Sequence, residues 1–98
     1  MEKLNLPPYN AKTRETDKRK QIYDPLRGKY VALTPEEWVR QNFINFLTTY
    51  KGYPQSLMGN EVQLTLNGLS KRCDTVLYDQ HLHPRMIIEY KAPHINIT

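Results

Sequence analysis

Cysteine occurs once in the chain, at Cys73, so no intrachain disulfide can staple it. No apolar run approaches membrane-spanning length, and the N-terminus has no apolar core of the kind a secretory signal needs. Nothing argues for a secreted or membrane-embedded chain, so a soluble cytoplasmic protein is the expectation. Internal repeats and low-complexity segments are missing too. Charge imbalance is slight: 14 Lys and Arg against 10 Asp and Glu, a net of +4. A hydrophobic share of 39% over 98 residues supports a modest core and at most one small domain.

The charges that are present are unevenly placed. Lys12, Arg14, Lys18, Arg19 and Lys20 stand in one short stretch against only Glu15 and Asp17. With Pro7-Pro8 ahead of it, residues 1–20 read as a flexible basic arm preceding a domain over 21–98. Such an arm is either a solvated tail or a segment that tracks phosphates. Gln21-Ile22-Tyr23 and Lys29 to Leu33 read as short extended pieces around an Asp24-Pro25-Leu26-Arg27-Gly28 turn.

Thr34-Pro35-Glu36-Glu37 marks a helix start, with Thr34 as N-cap and Pro35 as the first helical residue. The pattern predicts a helix to Thr49 or Tyr50, with Val39, Phe43, Phe46, Leu47 and Tyr50 as its buried stripe. Lys51-Gly52-Tyr53-Pro54 ends it. Three strands follow. Glu61 to Leu66 alternates, Asn67-Gly68 is a strong two-residue hairpin signal, and Cys73 to Tyr78 and Met86 to Lys91 supply two more strands. The fold class is therefore α/β of the α+β type: one helix, then a three-stranded antiparallel meander. One helix covers one face of a sheet, so the expectation is a domain cut before a later helix and strand, or completed by a partner.

The chemistry lies on the last two strands. Side chains alternate along a strand, so Glu89 and Lys91 share a face with Ile87, while Asp74 shares one with Val76 and Tyr78. A hairpin centred between His81 and Leu82 puts Asp74 opposite Glu89, with Cβ atoms about 4.5–5.5 Å apart. Like charges so placed repel, and a bound cation would remove the conflict. The Asn67-Gly68 turn, counted back, sets Glu61 opposite Asp74, completing a row across three strands. Two carboxylates and a lysine on one face can hold a divalent cation beside a phosphodiester and activate a water.

The ordered set of Thr34 to Gln41, Gly52-Tyr-Pro54, Glu61-Val62, Lys71-Arg-Cys-Asp74 and Ile88-Glu-Tyr-Lys-Ala-Pro93 resembles the N-terminal nuclease domain of type I restriction enzyme R subunits (HsdR). That domain belongs to the PD-(D/E)xK nuclease superfamily, and the resemblance covers roughly Ile22 to Pro93. It implies a restriction-endonuclease-like core that hydrolyses DNA phosphodiesters. Asp74 is then the metal-binding acid, Glu89 the second ligand, Lys91 the catalytic lysine, and Glu37 an additional acid near the metal. Residue 73 departs from the pattern, being Cys where the superfamily's name has Pro.

In the mechanism so implied, Asp74, Glu89 and the backbone carbonyl of Tyr90 hold Mg²⁺ (or Mn²⁺). Lys91 orients the attacking water or neutralises developing charge. Arg14, Lys18, Arg19 and Lys20 grip DNA through its phosphates, with other restriction-modification subunits or a second copy of the chain as further partners. Blander readings stand beside these. Glu37 is also the acid of a capping box. Glu61 is a surface residue or a supporting group rather than a ligand. His81-x-His83 has too few companions for a metal site, Cys73 reads as buried packing, and Trp38 as core or interface. The alternative function is a non-catalytic nucleic-acid-binding or assembly module that kept the fold.

Overall fold

The computed structural model describes residues 4–91. Ala92 and Pro93, the end of the motif that begins at Ile88, lie outside the described residues. The elements run β1 (Thr13–Thr16), β2 (Arg19–Asp24), β3 (Lys29–Ala32), α1 (Pro35–Asn45), β4 (Met58–Leu66), β5 (Leu69–Tyr78) and β6 (Pro84–Ile88). They form two three-stranded antiparallel sheets, β1-β2-β3 and β4-β5-β6, with one helix between them in sequence. The α+β class and the final meander agree with the sequence reading.

The first sheet was not foreseen as a sheet. Residues 13–20, placed in the arm by the sequence pattern, are instead β1 and the start of β2, paired from Thr13↔Ile22 to Thr16↔Arg19. The two residues between them, Asp17 and Lys18, both take positive φ (47° and 64°), the conformation of a two-residue hairpin turn. Asp-Lys is not the Asn-Gly or Asp-Gly signal that normally announces such a turn. The second turn of this sheet was legible. The Asp24 side chain accepts from Leu26 N–H at 2.9 Å, Gly28 N–H returns to the Asp24 carbonyl at 2.8 Å, and Gly28 takes φ +66°.

The helix starts where its capping signal lies. Thr34 Oγ1 accepts from Glu37 N–H at 3.0 Å. The other half of a capping box is not made: Thr34 N–H donates to the Ala32 carbonyl at 3.1 Å instead. The helix continues without a break into a π-helical turn, Phe46–Tyr50, closed by Lys51 N–H on the Phe46 carbonyl. Gly52 follows with φ +76°, a conformation only glycine adopts cheaply. We predict that Thr34→Ala costs about 1 kcal/mol, since one helix-end N–H loses its acceptor. Urea unfolding of the two proteins measures it, and equal midpoints would contradict it.

The buried side of the helix differs from the expected apolar stripe. Leu47 is buried, but Val39, Phe43 and Phe46 are only half-buried and Tyr50 is 54% exposed. The side facing inward carries Glu37, Arg40, Gln41, Ile44 and Leu47 at helical spacing. Three of these five are polar. They tolerate burial because most of their polar atoms bond to one another and to both sheets; Arg40 Nε and Gln41 Oε1 have no hydrogen-bond partner among the described residues. Arg27 Nη2 donates to Glu37 Oε1 at 3.0 Å and Gln41 Nε2 to Glu37 Oε2 at 2.9 Å. Asn60 Nδ2 donates to Asp24 Oδ2 at 3.0 Å, and the Thr75 hydroxyl to Asn60 Oδ1 at 2.6 Å. Asp24 also pairs with Arg27. The apolar core is correspondingly small: Ile22, Ile44, Leu47, Cys73, Val76 and Leu77. Cys73 is fully buried, as its alternation with Asp74 required.

In the second sheet, Leu66 pairs with Leu69 across the Asn67-Gly68 turn, whose residues take φ 50° and 79°. The β5–β6 loop is organised by Asp79. Its Oδ1 accepts from His81 N–H at 2.8 Å and His83 N–H at 3.0 Å. The backbone hydrogen bond from His83 leads in holding the Asp79 carboxyl below its ordinary value. The two histidines are exposed loop residues, as the bland reading of His81-x-His83 expected.

Candidate active site

The hairpin centre assumed from the sequence agrees with the observed register. Thr75↔Ile88, Val76↔Ile87 and Leu77↔Met86 all lie on a centre between His81 and Leu82, and the ladder shifts only at Tyr78↔Pro84. Continued by one step, this register sets Asp74 opposite Glu89. The ladder itself stops at Ile88. What comes next is a different bond: Tyr90 N–H donates to Asp74 Oδ2 at 2.9 Å. Ile87, Glu89 and Lys91 are exposed, while Ile88 and Tyr90 are half-buried, so the two-residue alternation carries on past the strand's end. Glu89 and Lys91 share the solvent side, and Asp74 is half-buried beside them in register.

The charges around these groups are distributed unevenly. Glu89 Oε1 lies 3.4 Å from Lys71 Nζ, a contact between side chains 44% and 57% exposed and hence weak. Lys91 makes no ion pair among the described residues. Tyr90 is the anchored member of the segment. Its ring meets Phe43 edge-on, with centroids 6.3 Å apart, and lies 5.7 Å from the Arg40 guanidinium. Burial pushes its hydroxyl up to about 12, with Thr75 and Arg40 acting the other way.

Glu61 lies between Asn60↔Thr75 and Val62↔Cys73, which is the position opposite Asp74, yet this pair drops out of the ladder. The Glu61 backbone turns to φ +57°, a costly conformation for a non-glycine residue. The kink brings Val62 back over Gly59, where a Cβ would stand only 2.8 Å from Val62 Cγ2. Glu61 then directs its carboxylate to Arg40 at 2.9 Å and Arg72 at 3.1 Å. Burial would raise this carboxyl, but the bonds from Arg40 and Arg72 outweigh it and leave it below the ordinary value. Glu37 likewise has its oxygens on Arg27, Gln41 and Arg40, the last at 3.3 Å. Among the described residues, no three Asp, Glu, His or Cys side chains converge as a metal cluster. The oxygen donors at hand are the carboxylates of Asp74 and Glu89 and the Tyr90 carbonyl, a set suited to Mg²⁺ or Mn²⁺ rather than to thiolate-seeking metals.

The expected DNA-contacting residues belong to the first sheet, whereas Asp74 and Glu89 belong to the second and its continuation. Arg14, Lys18, Arg19 and Lys20 are all exposed on the β1–β2 hairpin. Arg14 is held in place, its guanidinium 3.9 Å from the Tyr30 ring centroid and its Nε donating to Gln21 Oε1 at 2.8 Å.

Sequence reasoning missed Arg40. It is 8% exposed, and its Nη1 donates to the Asp74 carbonyl at 2.6 Å as well as to Glu61. A signal existed: Glu37 and Arg40 stand three apart on one helix, the spacing of an ion pair.

Taken together, this is an α+β protein that presents an acid on one strand and a Glu-x-Lys just past the end of the next. Residues 35–98 match the family model for the N terminus of the type I restriction enzyme R protein (HSDR_N), and the chain belongs to that family. The match begins at the first helical residue, so β1, β2 and β3 precede it. No curated protein and no solved structure matches the chain. Among the described residues, no helix is long and apolar enough to cross a membrane.

Proposed function

We propose that this chain is a Mg²⁺-dependent DNA endonuclease domain of the R-subunit type, built on a PD-(D/E)xK, restriction-endonuclease-like core. The observation that carries the reading is the β5–β6 register, which, continued one step past its last pair Thr75↔Ile88, sets Asp74 opposite Glu89, with Lys91 next on the exposed side. Family membership supplies the restriction context.

Asp74, Glu89 and the Tyr90 carbonyl would hold the Mg²⁺ (or Mn²⁺). When bound, the ion supplies polarisation of the scissile phosphate and a more acidic water. The chain's own groups do the rest. The Tyr90 N–H fixes one Asp74 oxygen and leaves the other without a hydrogen bond among the described residues. Lys91, exposed and unpaired there, orients the attacking water or neutralises charge that develops on the phosphate. Arg14, Lys18, Arg19 and Lys20 hold the DNA backbone; contacts of this kind carry no base information. Glu61 and Glu37 support the site through the arginines that they bind.

A second reading has an observation in its favour. The oxygens of Glu61 are engaged by arginines and those of Glu37 by arginines and Gln41, and no three-ligand cluster converges among the described residues. A non-catalytic nucleic-acid-binding or assembly module fits that arrangement. It predicts salt-dependent DNA binding without metal-dependent cutting.

Calorimetric titration with Mg²⁺ separates the two. Under the nuclease reading the wild-type chain binds the ion, and Asp74→Ala and Glu89→Ala each lose it. Failure to bind Mg²⁺ both in the folded wild-type chain and in a folded one extended past Thr98 leaves only the binding or assembly role.

A further inference from the structure

We propose that Arg40 is the positioning residue of this site, setting the Glu89–Lys91 segment against Asp74; the inference rests on the nuclease reading. β6 ends at Ile88, so no regular ladder bond holds the three residues that follow. They are held through Tyr90, by its N–H on the Asp74 carboxylate and by its ring against Phe43 and Arg40. One guanidinium therefore touches both halves of the site. Its Nη1 bonds the main-chain carbonyl of Asp74 at 2.6 Å, and its Cζ lies 5.7 Å from the Tyr90 ring centroid.

The acids around Arg40 hold it in that pose. Glu37 Oε1 lies 3.3 Å from Nη2 and Glu61 Oε2 lies 2.9 Å from Nη1. Glu37 comes from the helix and Glu61 from the kink in β4, so the guanidinium is gripped from two elements while it bonds a third. A planar fork with fixed donor directions can serve these acceptors together, whereas a lysine ammonium is a compact point charge. A helix–sheet salt bridge alone needs only the carboxylates. The additional bond to the Asp74 carbonyl and the packing on Tyr90 aim the arginine at the Asp74–Tyr90 pair. Helix α1 thus registers the Glu-x-Lys segment where the sheet no longer does.

Arg40→Met alone would leave Glu37 with Arg27 and Glu61 with Arg72 as their one remaining cation each, so the working variant pairs it with Glu37→Gln. Arg40→Lys is the conservative comparison. Two readouts are taken on the 98-residue chain: amide hydrogen exchange by NMR and Mg²⁺ titration. In the double variant and in Arg40→Lys, the Tyr90 amide should exchange at least about 10-fold faster while the β4–β5 ladder amides keep their protection. Mg²⁺ affinity should fall about 10–100-fold, the usual effect of losing a group that orients ligands. Unchanged Tyr90 exchange, or unchanged Mg²⁺ affinity where Asp74→Asn abolishes it, overturns the role of Arg40 and leaves the nuclease reading standing. Failure to bind Mg²⁺ both in the folded wild-type chain and in a folded one extended past Thr98 overturns both.

Discussion

Lys91→Ala is expected to abolish DNA cleavage while leaving the fold intact. Lys91 lies beyond the end of β6, exposed, with no ion pair among the described residues. Removing such a side chain changes stability by no more than about 0.5 kcal/mol. Its proposed work is confined to the reaction, where losing one charge-stabilising group typically costs about 10²–10³ in rate. Single-turnover cleavage of plasmid DNA in Mg²⁺, run beside thermal unfolding, reads both quantities. Undiminished cleavage by a folded Lys91→Ala protein would remove the proposed site. A loss of both cleavage and folding would mean that Lys91 holds structure instead.

The largest stability effect is expected at Asp24. This carboxylate is fully buried, and it accepts from Arg27, from Asn60 and from Leu26 N–H. Asp24→Ala leaves Arg27 with Glu37 alone and strands two further donors, in a protein whose apolar core is small. Breaking a buried pair in this way costs about 3–5 kcal/mol. Against a total of about 5–15 kcal/mol for a domain, that loss is a large share. Urea unfolding measures it, and a loss below about 1 kcal/mol would show that Asp24 is not an anchor.

The same residue sets an acid limb. Burial alone would raise the Asp24 carboxyl, but the hydrogen bonds from Arg27, Asn60 and Leu26 N–H outweigh it and bring it below the ordinary 3.8. A carboxyl lowered on folding stabilises fully above its unfolded value. That contribution disappears as pH falls through the lower folded value. Wild-type stability should therefore drop on acidification below about pH 4, and Asp24→Ala should lack this component of the drop.

The pieces that could be read in advance are governed by near neighbours. Thr34 caps its helix because its hydroxyl meets an N–H three residues on. Asn67-Gly68 turns because both residues accept positive φ. The register that opposes Asp74 to Glu89 follows from the alternation of two strands and the loop between them. The first sheet escaped because its hairpin turn places Lys18, where glycine is the usual signal, in a left-handed conformation that lysine resists. The row of three acids is an extension of the neighbouring pairs, and neither Glu61↔Asp74 nor Asp74↔Glu89 is itself a ladder pair. Glu61 swings to Arg40 and Arg72, and no rule of alternation reports where a carboxylate finds its cation.

The sequence by itself determined the helix, the final meander, the strand register and the solvent side that Glu89 and Lys91 share, since turns, caps and side-chain periodicity act over a few residues. Only the tertiary structure decided that Asp24, Glu37 and Arg40 are buried, that Glu61 is neutralised and that Tyr90 is clamped to Asp74. A charged side chain is buried only when its partners are present, and here they come from far along the chain: Arg40 bonds Glu61 and Asp74, and Asp24 bonds Asn60. Polarity alone would have put every one of these residues on the surface.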